Sequence, residues 1–411
     1  MQKKNIYPRF SKIKPPSFKR HPVKSTWHSQ VFIIEKMDKF DTDVQITSSW
    51  LMPTCATICV HVTKKKMKRK HRQCDATANS TNSTIQITNN ADTSYHIRSI
   101  TYYEQSAKVR IQQPVSIGGY SKLQNGTIEY NKKAYYPIHT QKIKTNLLQD
   151  FVESKEKEDT SKPLAPLHPL IQAIHESKWS GTCNVISYRN NFNKLLGTIY
   201  NPKKEWQFTL FKYNHCMIFD VEQTDDDKNF IPNLYQQQCA YAGRKFEQEM
   251  TSQPTKEEFC TIQQTQLGQI KIILAAEIDG YHPKTKSMVE LKTFRTLEGK
   301  KDHYTFERYK LLSFWIQSYI AGVPDILCGF RDKQFNVTTA QWFKTRDLPG
   351  FGRKHWKPQG CLGFGHDVLH WLQGQTKHIG FYRVHYQPNT MKIELVSLSA
   401  STPDYDLSFL V

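Results

Sequence analysis

Ala276-Glu277-Ile278-Asp279-Gly280, then Val289-Glu290-Leu291-Lys292-Thr293, decide how the chain is read. Polar and apolar residues alternate in both with the two-residue period of a strand, so Glu277 and Asp279 share one face and Glu290 and Lys292 share another. The apolar Ile272, Ile273, Leu274, Val289 and Leu291 around them suit buried strands. Carboxylates there are costly unless an opposite charge meets them. If Ile270–Asp279 and Met288–Arg295 pair as hairpin neighbours, three carboxylates and one ammonium converge. Hard divalent ions such as Mg2+ take oxygen ligands, and two of them about 3.5–4 Å apart stabilise both the attacking and the leaving oxygen in phosphodiester cleavage. The pattern points to a nuclease holding two Mg2+ or Mn2+ ions, with Lys292 orienting water or neutralising phosphate charge. A surface strand pair with ordinary Glu–Lys bridges would look the same in sequence.

Outward from this segment, periodicity sketches a folded unit from about residue 111. Trp206–Phe211 and Met217–Val221 alternate around Tyr213-Asn214-His215, which predicts a hairpin. Residues 233–250 read as a helix, and so does Tyr304–Ile320, with Leu311, Leu312, Phe314, Trp315 and Tyr319 as its apolar surface. Ile326–Phe330 and Phe335–Thr339 read as strands. A Gly-rich loop, a helix near 365–374 and a last hairpin, Phe381–Tyr386 with Met391–Ser397, complete the pattern. Mixed strand and helix order predicts one α/β or α+β domain with a mixed, twisted sheet flanked by helices.

Ahead of it, residues 1–110 read as a basic, largely disordered extension, of which residues 1 to about 105 are expected to be dispensable for cleavage. Residues 1–72 carry a net charge of +13 and the remaining chain only +7, so general attraction to a polyanion lies mainly at the start. Lys64-Lys65-Lys66-Met67-Lys68-Arg69-Lys70-His71-Arg72 is the kind of cluster that import receptors read, and it predicts a nuclear protein with cytoplasm as the second compartment. The Lys-rich start fits a mitochondrial transit peptide less well. The 38% hydrophobic and 12% aromatic content separates the chain from a disordered one. Nine irregularly spaced cysteines without a secretory signal predict reduced thiols, and no apolar run reaches the roughly 18 residues of a membrane span. Cys55, Cys59, His61, His71 and Cys74 match no common zinc spacing, and His366 with His370 lacks a third ligand. Phe351, Arg353, Lys354, His355, Trp356 and Lys357 mix charge with aromatic rings in a loop that suits single-stranded RNA.

Several ordered stretches sharpen the reading: Ser187-Tyr188-Arg189 before Lys194-Leu195-Leu196; Gly243-Arg244-Lys245-Phe246-Glu247; Glu277-Ile278-Asp279; Glu290-Leu291-Lys292; and Phe306-Glu307-Arg308 leading to Trp315-Ile316-Gln317 and Gly322-Val323-Pro324. Over most of residues 111–400 the chain resembles the decapping exoribonucleases of the DXO family, whose fold is that of metal-dependent E-x-K nucleases. The resemblance implies that Glu247, Asp279, Glu290 and the carbonyl of Leu291 hold one metal, and that Glu277 with Asp279 holds the other. It places Lys292 and Gln317 at the attacked phosphate or the water, and Arg189 on the RNA backbone near its 5′ end. The chain departs from the family pattern in having Tyr188 where Trp or Phe is usual, Asn190 in place of Gly, and Arg244 where an apolar or aromatic residue is usual.

The resemblance implies removal of incomplete or atypical caps from RNA (triphosphate, unmethylated cap or nicotinamide-adenine dinucleotide ends) with 5′-to-3′ degradation as a possible second activity. A nuclear 5′-to-3′ exoribonuclease is the partner that fungal relatives suggest, a point the residues leave open. Two rivals stand beside this reading. One is an inactive relative that shields RNA ends or serves as a scaffold. The other is a DNA nuclease with the same acidic core.

Overall fold

The computed structural model describes residues 86–87, 93–105, 109–131, 136–139, 145–153, 167–252, 257–399 and 405–410. Contacts divide the chain after Cys74, and all described residues belong to the unit Asp75–Val411. The basic cluster at 64–72 and the Cys55–Cys74 group lie outside the described residues.

In chain order the strands of a large sheet are β1 (Gln86–Ile87), β2 (Thr93–His96), β3 (Val115–Lys122), β4 (Ile128–Tyr130), β5 (Val185–Tyr188), β6 (Trp206–Tyr213), β7 (Cys216–Glu222), β8 (Glu258–Leu267) and β9 (Ile270–Glu277). A small sheet follows with β10 (Gly280–Tyr281), β11 (Met288–Arg295), β12 (Asp325–Arg331) and β13 (Val337–Lys344), after which β14 (Gly380–Gln387) and β15 (Lys392–Ser399) return to the large one. The large sheet runs β1-β15-β14-β6-β7-β5-β9-β8-β3-β4 with β2 on β15, and the small one β10-β11-β12-β13. The helices are α1 (Ile100–Gln105), α2 (Leu167–Glu176), α3 (Arg189–Gly197), α4 (Asp225–Asn229), α5 (Leu234–Thr251), α6 (Lys300–Thr305), α7 (Leu311–Ile320), α8 (Leu348–Gly352) and α9 (Pro358–Gln375). None is long and apolar enough to cross a membrane.

The predicted mixed α/β class holds. β5 lies parallel to both β7 and β9 and is buried on both faces, as its Val-Ile-Ser-Tyr composition requires at a sheet centre. The 206–222 hairpin forms as predicted, turning at Asn214 with φ 48°. In α5, the side chain of Asn233 accepts from the amide of Gln236 while Gln236 bonds back, so two of the otherwise orphaned N-terminal amides are satisfied. Helices α3, α7 and α9 share the main core with one face of the large sheet, α2 covers the other face, and α5 packs on the small sheet through Ala242, Phe246 and Met250.

Four expectations change. Strands β9 and β11 are not hairpin neighbours: β9 pairs with β5 and β8 in the large sheet, whereas β11 pairs with β10 and β12 in the small one. The chain crosses between sheets at Ile278–Asp279, because Gly280 joins Val289 directly. A Cβ on Gly280 would stand 2.8 Å from the carbonyl oxygen of Tyr136, so only glycine lets the backbone through. Next, the single helix read over 304–320 begins at Lys300 and contains a π-turn, Phe306–Lys310, ahead of α7.

Third, Trp356 is 1% exposed; it packs against Trp315 and donates Nε1–H to the carbonyl of Glu307 at 3.0 Å. It cannot serve a loop-borne RNA contact. Finally, residues 93–105, counted with the extension, are folded: β2 extends the sheet beside β15, and Tyr103 is fully buried against Phe364 of α9. Deleting residues 1–85 is expected to leave cleavage unchanged. Deletion through Gln105 removes Tyr103 from the core and is expected to lower stability by about 3–5 kcal/mol, which urea unfolding of the two truncations measures.

Candidate active site

The crossing between sheets gathers the predicted residues. Arg189 follows β5 directly, and Tyr188 stands opposite Ala275 of β9, so the guanidinium begins near the end of the strand that carries Glu277. Tyr188 hydroxyl meets Tyr120 hydroxyl at 3.2 Å inside the core, which accounts for a tyrosine at this position. Arg189 is 8% exposed, and its Nη1 donates to Glu290 Oε2 at 3.0 Å. Lys292 Nζ and Gln317 Nε2 each donate to Glu290 Oε1 at 2.5 Å. The backbone amide of Leu291 donates to Asp279 Oδ2 at 2.6 Å. Glu290 is 1% exposed, so three donors from β11, α3 and α7 satisfy a carboxylate that water does not reach.

These contacts separate the charges. Desolvation favours a neutral Glu290, but Arg189 and Lys292 outweigh it and hold the carboxyl below its ordinary value. Desolvation likewise opposes the charge on Lys292, and Glu290 with Asp279 more than offsets it, so the ammonium holds its proton more firmly than usual. Asp279 is pushed well upward by burial and then by the Glu290 charge. Glu247, reaching in from α5, is raised to about 7 by burial, with Lys292 pulling down and Glu277 and Glu290 pushing up. Glu277 is raised by burial and by Glu258, against Arg189.

All seven side chains singled out in the sequence therefore interact, although they come from five separated elements and the crossing between the sheets. Arg189, Glu247 and Gln317 would pass locally as surface residues; each instead turns toward the carboxylates. Glu258, not singled out, joins the field at Glu277, and no local signal marks it because the proximity arises from the Cys260–Glu277 pairing across β8 and β9. Arg244, exposed one turn before Glu247, lowers the pKa of that carboxyl. His366 and His370 stack with centroids 6.3 Å apart on α9, and Asp367 is the nearest acid to His366 at 3.7 Å.

The donor set suits a hard cation: its side chains are carboxylates, and three of the carboxyls, Asp279, Glu247 and Glu277, are held upward by burial and mutual repulsion that a divalent ion would relieve. Among the described residues, no three His, Cys, Asp or Glu side chains stand at ready ligand spacing.

A sequence model described as RAI1-like PD-(D/E)XK nuclease matches residues 112–407. The chain belongs to that family. A decapping and exoribonuclease protein of Xenopus laevis is 28% identical over 249 residues, covering 55% of this chain and 59% of that protein. A decapping nuclease RAI1 of Aspergillus fumigatus is 25% identical over 322 residues, covering 69% and 87%. The solved structure of Candida albicans Rai1 in complex with pU5 and Mn2+ superposes with a TM-score of 0.65 at 21% identity, over 75% of this chain and 94% of that one. The chain spans about three fifths of the first curated relatives it matches, 59% of the frog protein and 60% of a Neurospora crassa RAI1. The RAI1-like family is the one the ordered motifs resembled.

Because Glu247 binds its proton more tightly folded than unfolded, it lowers stability as pH rises from its ordinary carboxyl range through about 7. With metal chelated, Glu247→Gln is expected to unfold at a temperature less sensitive to pH between 5 and 8 than the wild type. Parallel Tm–pH curves for the two proteins would show the carboxyl to be fully solvated.

Proposed function

We propose that this protein is a divalent-metal-dependent nuclease that removes incomplete or atypical caps from RNA 5′ ends. The observation that carries the reading is the convergence of Glu247, Glu277, Asp279, Glu290 and Lys292 with Arg189 and Gln317 at one sheet crossing, within a PD-(D/E)XK family. Glu247, Asp279, Glu290 and the Leu291 carbonyl would hold one ion, and Glu277 with Asp279 the other, Mg2+ or Mn2+ in each case. Bound there, the ions supply charge for the attacking and leaving oxygens. Arg189 and Gln317 position the first phosphate, and the Lys292 ammonium, held protonated by Glu290 and Asp279, meets the charge that develops on it.

Related proteins have been solved with bound ligands: Candida albicans Rai1 with pU5 and Mn2+, and S. pombe Rai1 with 3′-FADP. RNA 5′ ends carrying a phosphate or a nucleotide cofactor are the substrate class we carry to this chain, with 5′-to-3′ degradation as a second activity. A nuclear 5′-to-3′ exoribonuclease is its proposed partner. Retention of every carboxylate and of Lys292 argues against an inactive end-shielding relative. The test places 5′-labelled single-stranded RNA and DNA side by side with Mn2+ present. Release of a capped or triphosphorylated first nucleotide from RNA supports the reading; cleavage of DNA alone, or RNA binding without cleavage, overturns it.

Nuclear residence is proposed on the 64–72 cluster. Serine in place of its Lys and Arg residues is expected to move the tagged full-length protein into the cytosol, and an unchanged distribution removes the import role.

A further inference from the structure

Helix α7 presents almost no surface. Leu311, Leu312, Phe314, Trp315, Ile316, Ser318 and Ile320 are buried, and Ser313 is its exposed side chain. Tyr309 and Lys310, Ser313 and Gln317 recur every three to four residues, so one narrow solvent-facing stripe runs along the helix. It ends at Gln317, whose amide donates to Glu290. Its other end, about 12 Å away at 1.5 Å per residue, is the π-turn.

Exposed aromatic rings gather there. Tyr304 is 48% exposed and Tyr309 38% exposed, with ring centroids 6.1 Å apart. The His355 ring meets Tyr304 edge-on at 5.0 Å. The platform is fixed from below: Trp356 donates to the Glu307 carbonyl, and His355 Nε2 lies 3.5 Å from Glu307 Oε2. Lys300, Lys301 and Lys310 are exposed around it and enter no salt bridge among the described residues. Rings that accept any base, with cations alongside, are what a groove for an unpaired polyanion strand needs.

We propose that the strand of RNA downstream of the cleaved bond runs along the α7 stripe from Gln317 and stacks on Tyr304 and Tyr309, with Lys310 beside its phosphates. The inference rests on the nuclease reading and adds a substrate track outside the carboxylate cluster. Positive charge and continuity with the site select a single strand over an apolar protein partner. It also moves the loop-borne RNA contact expected from 351–357 onto the neighbouring helix, with His355 as the loop's contribution.

The test compares full-length wild type, Tyr304→Ala/Tyr309→Ala and Tyr304→Phe/Tyr309→Phe on 5′-triphosphorylated oligouridylates of two and twelve nucleotides with Mn2+, folding being checked by thermal unfolding. The alanine pair is expected to raise KM about tenfold on the 12-mer while leaving the dimer unchanged, and the phenylalanine pair to behave as wild type, since stacking is kept. Equal effects on both lengths, or none, overturn the track. If the wild type cleaves neither oligomer, the nuclease reading fails, and fluorescence anisotropy with the labelled 12-mer decides the track by itself: tenfold weaker binding by the alanine pair supports it, and unchanged binding overturns it.

Discussion

Asp279→Asn is expected to lower cleavage at least about 100-fold while leaving the fold and RNA binding in place. Asp279 stands where the chain leaves the large sheet for the small one, and its Oδ2 accepts from the Leu291 amide, an interaction that asparagine can keep through its carbonyl oxygen. The substitution removes the negative charge assigned to both ions. The wild-type carboxyl is held upward by burial and by Glu290, so an unliganded aspartate is unfavourable there and a cation has the most to relieve. Calorimetry should find Mn2+ binding to the wild type and much weaker binding to the variant. Near-normal cleavage by folded Asp279→Asn would end the two-metal assignment.

Glu290→Gln is expected to destabilise the protein as well as silence it. The carboxylate is the shared acceptor for Arg189, Lys292 and Gln317, and it is out of reach of water. Neutralising it leaves a buried guanidinium without its counter-ion, a change that costs about 3–5 kcal/mol in comparable sites. Asp279 remains beside Lys292, which places the expected loss toward the lower end of that range. Urea unfolding in the presence of a chelator measures it independently of catalysis. A variant as stable as the wild type would mean that solvent already screens the cluster.

The two experiments separate what the residues do. Loss of cleavage without loss of stability in Asp279→Asn fits a role in metal binding, whereas loss of both in Glu290→Gln assigns its carboxylate to the ion cluster with Arg189 and Lys292 as well.

Alternation within ten residues was enough to identify β9, β11 and the acids on them, because a strand's two-residue period is a local property of the chain. The α5 boundaries were legible for the same reason: the Asn233–Gln236 cap and the apolar spacing are both local. Ordered motifs also carried the family. Local pattern does not encode which strands pair, since β9 is satisfied equally by a neighbour from the next segment or by β5, whose Val185 stands opposite Ile272. Only the tertiary structure decided that the two acidic strands lie in different sheets, and that Arg189, Glu247 and Gln317, each an ordinary polar residue in its own segment, turn inward to the same carboxylates. Trp356 left its expected place in an exposed loop for the same physical reason: burial is set by what packs from elsewhere in the chain, here Trp315.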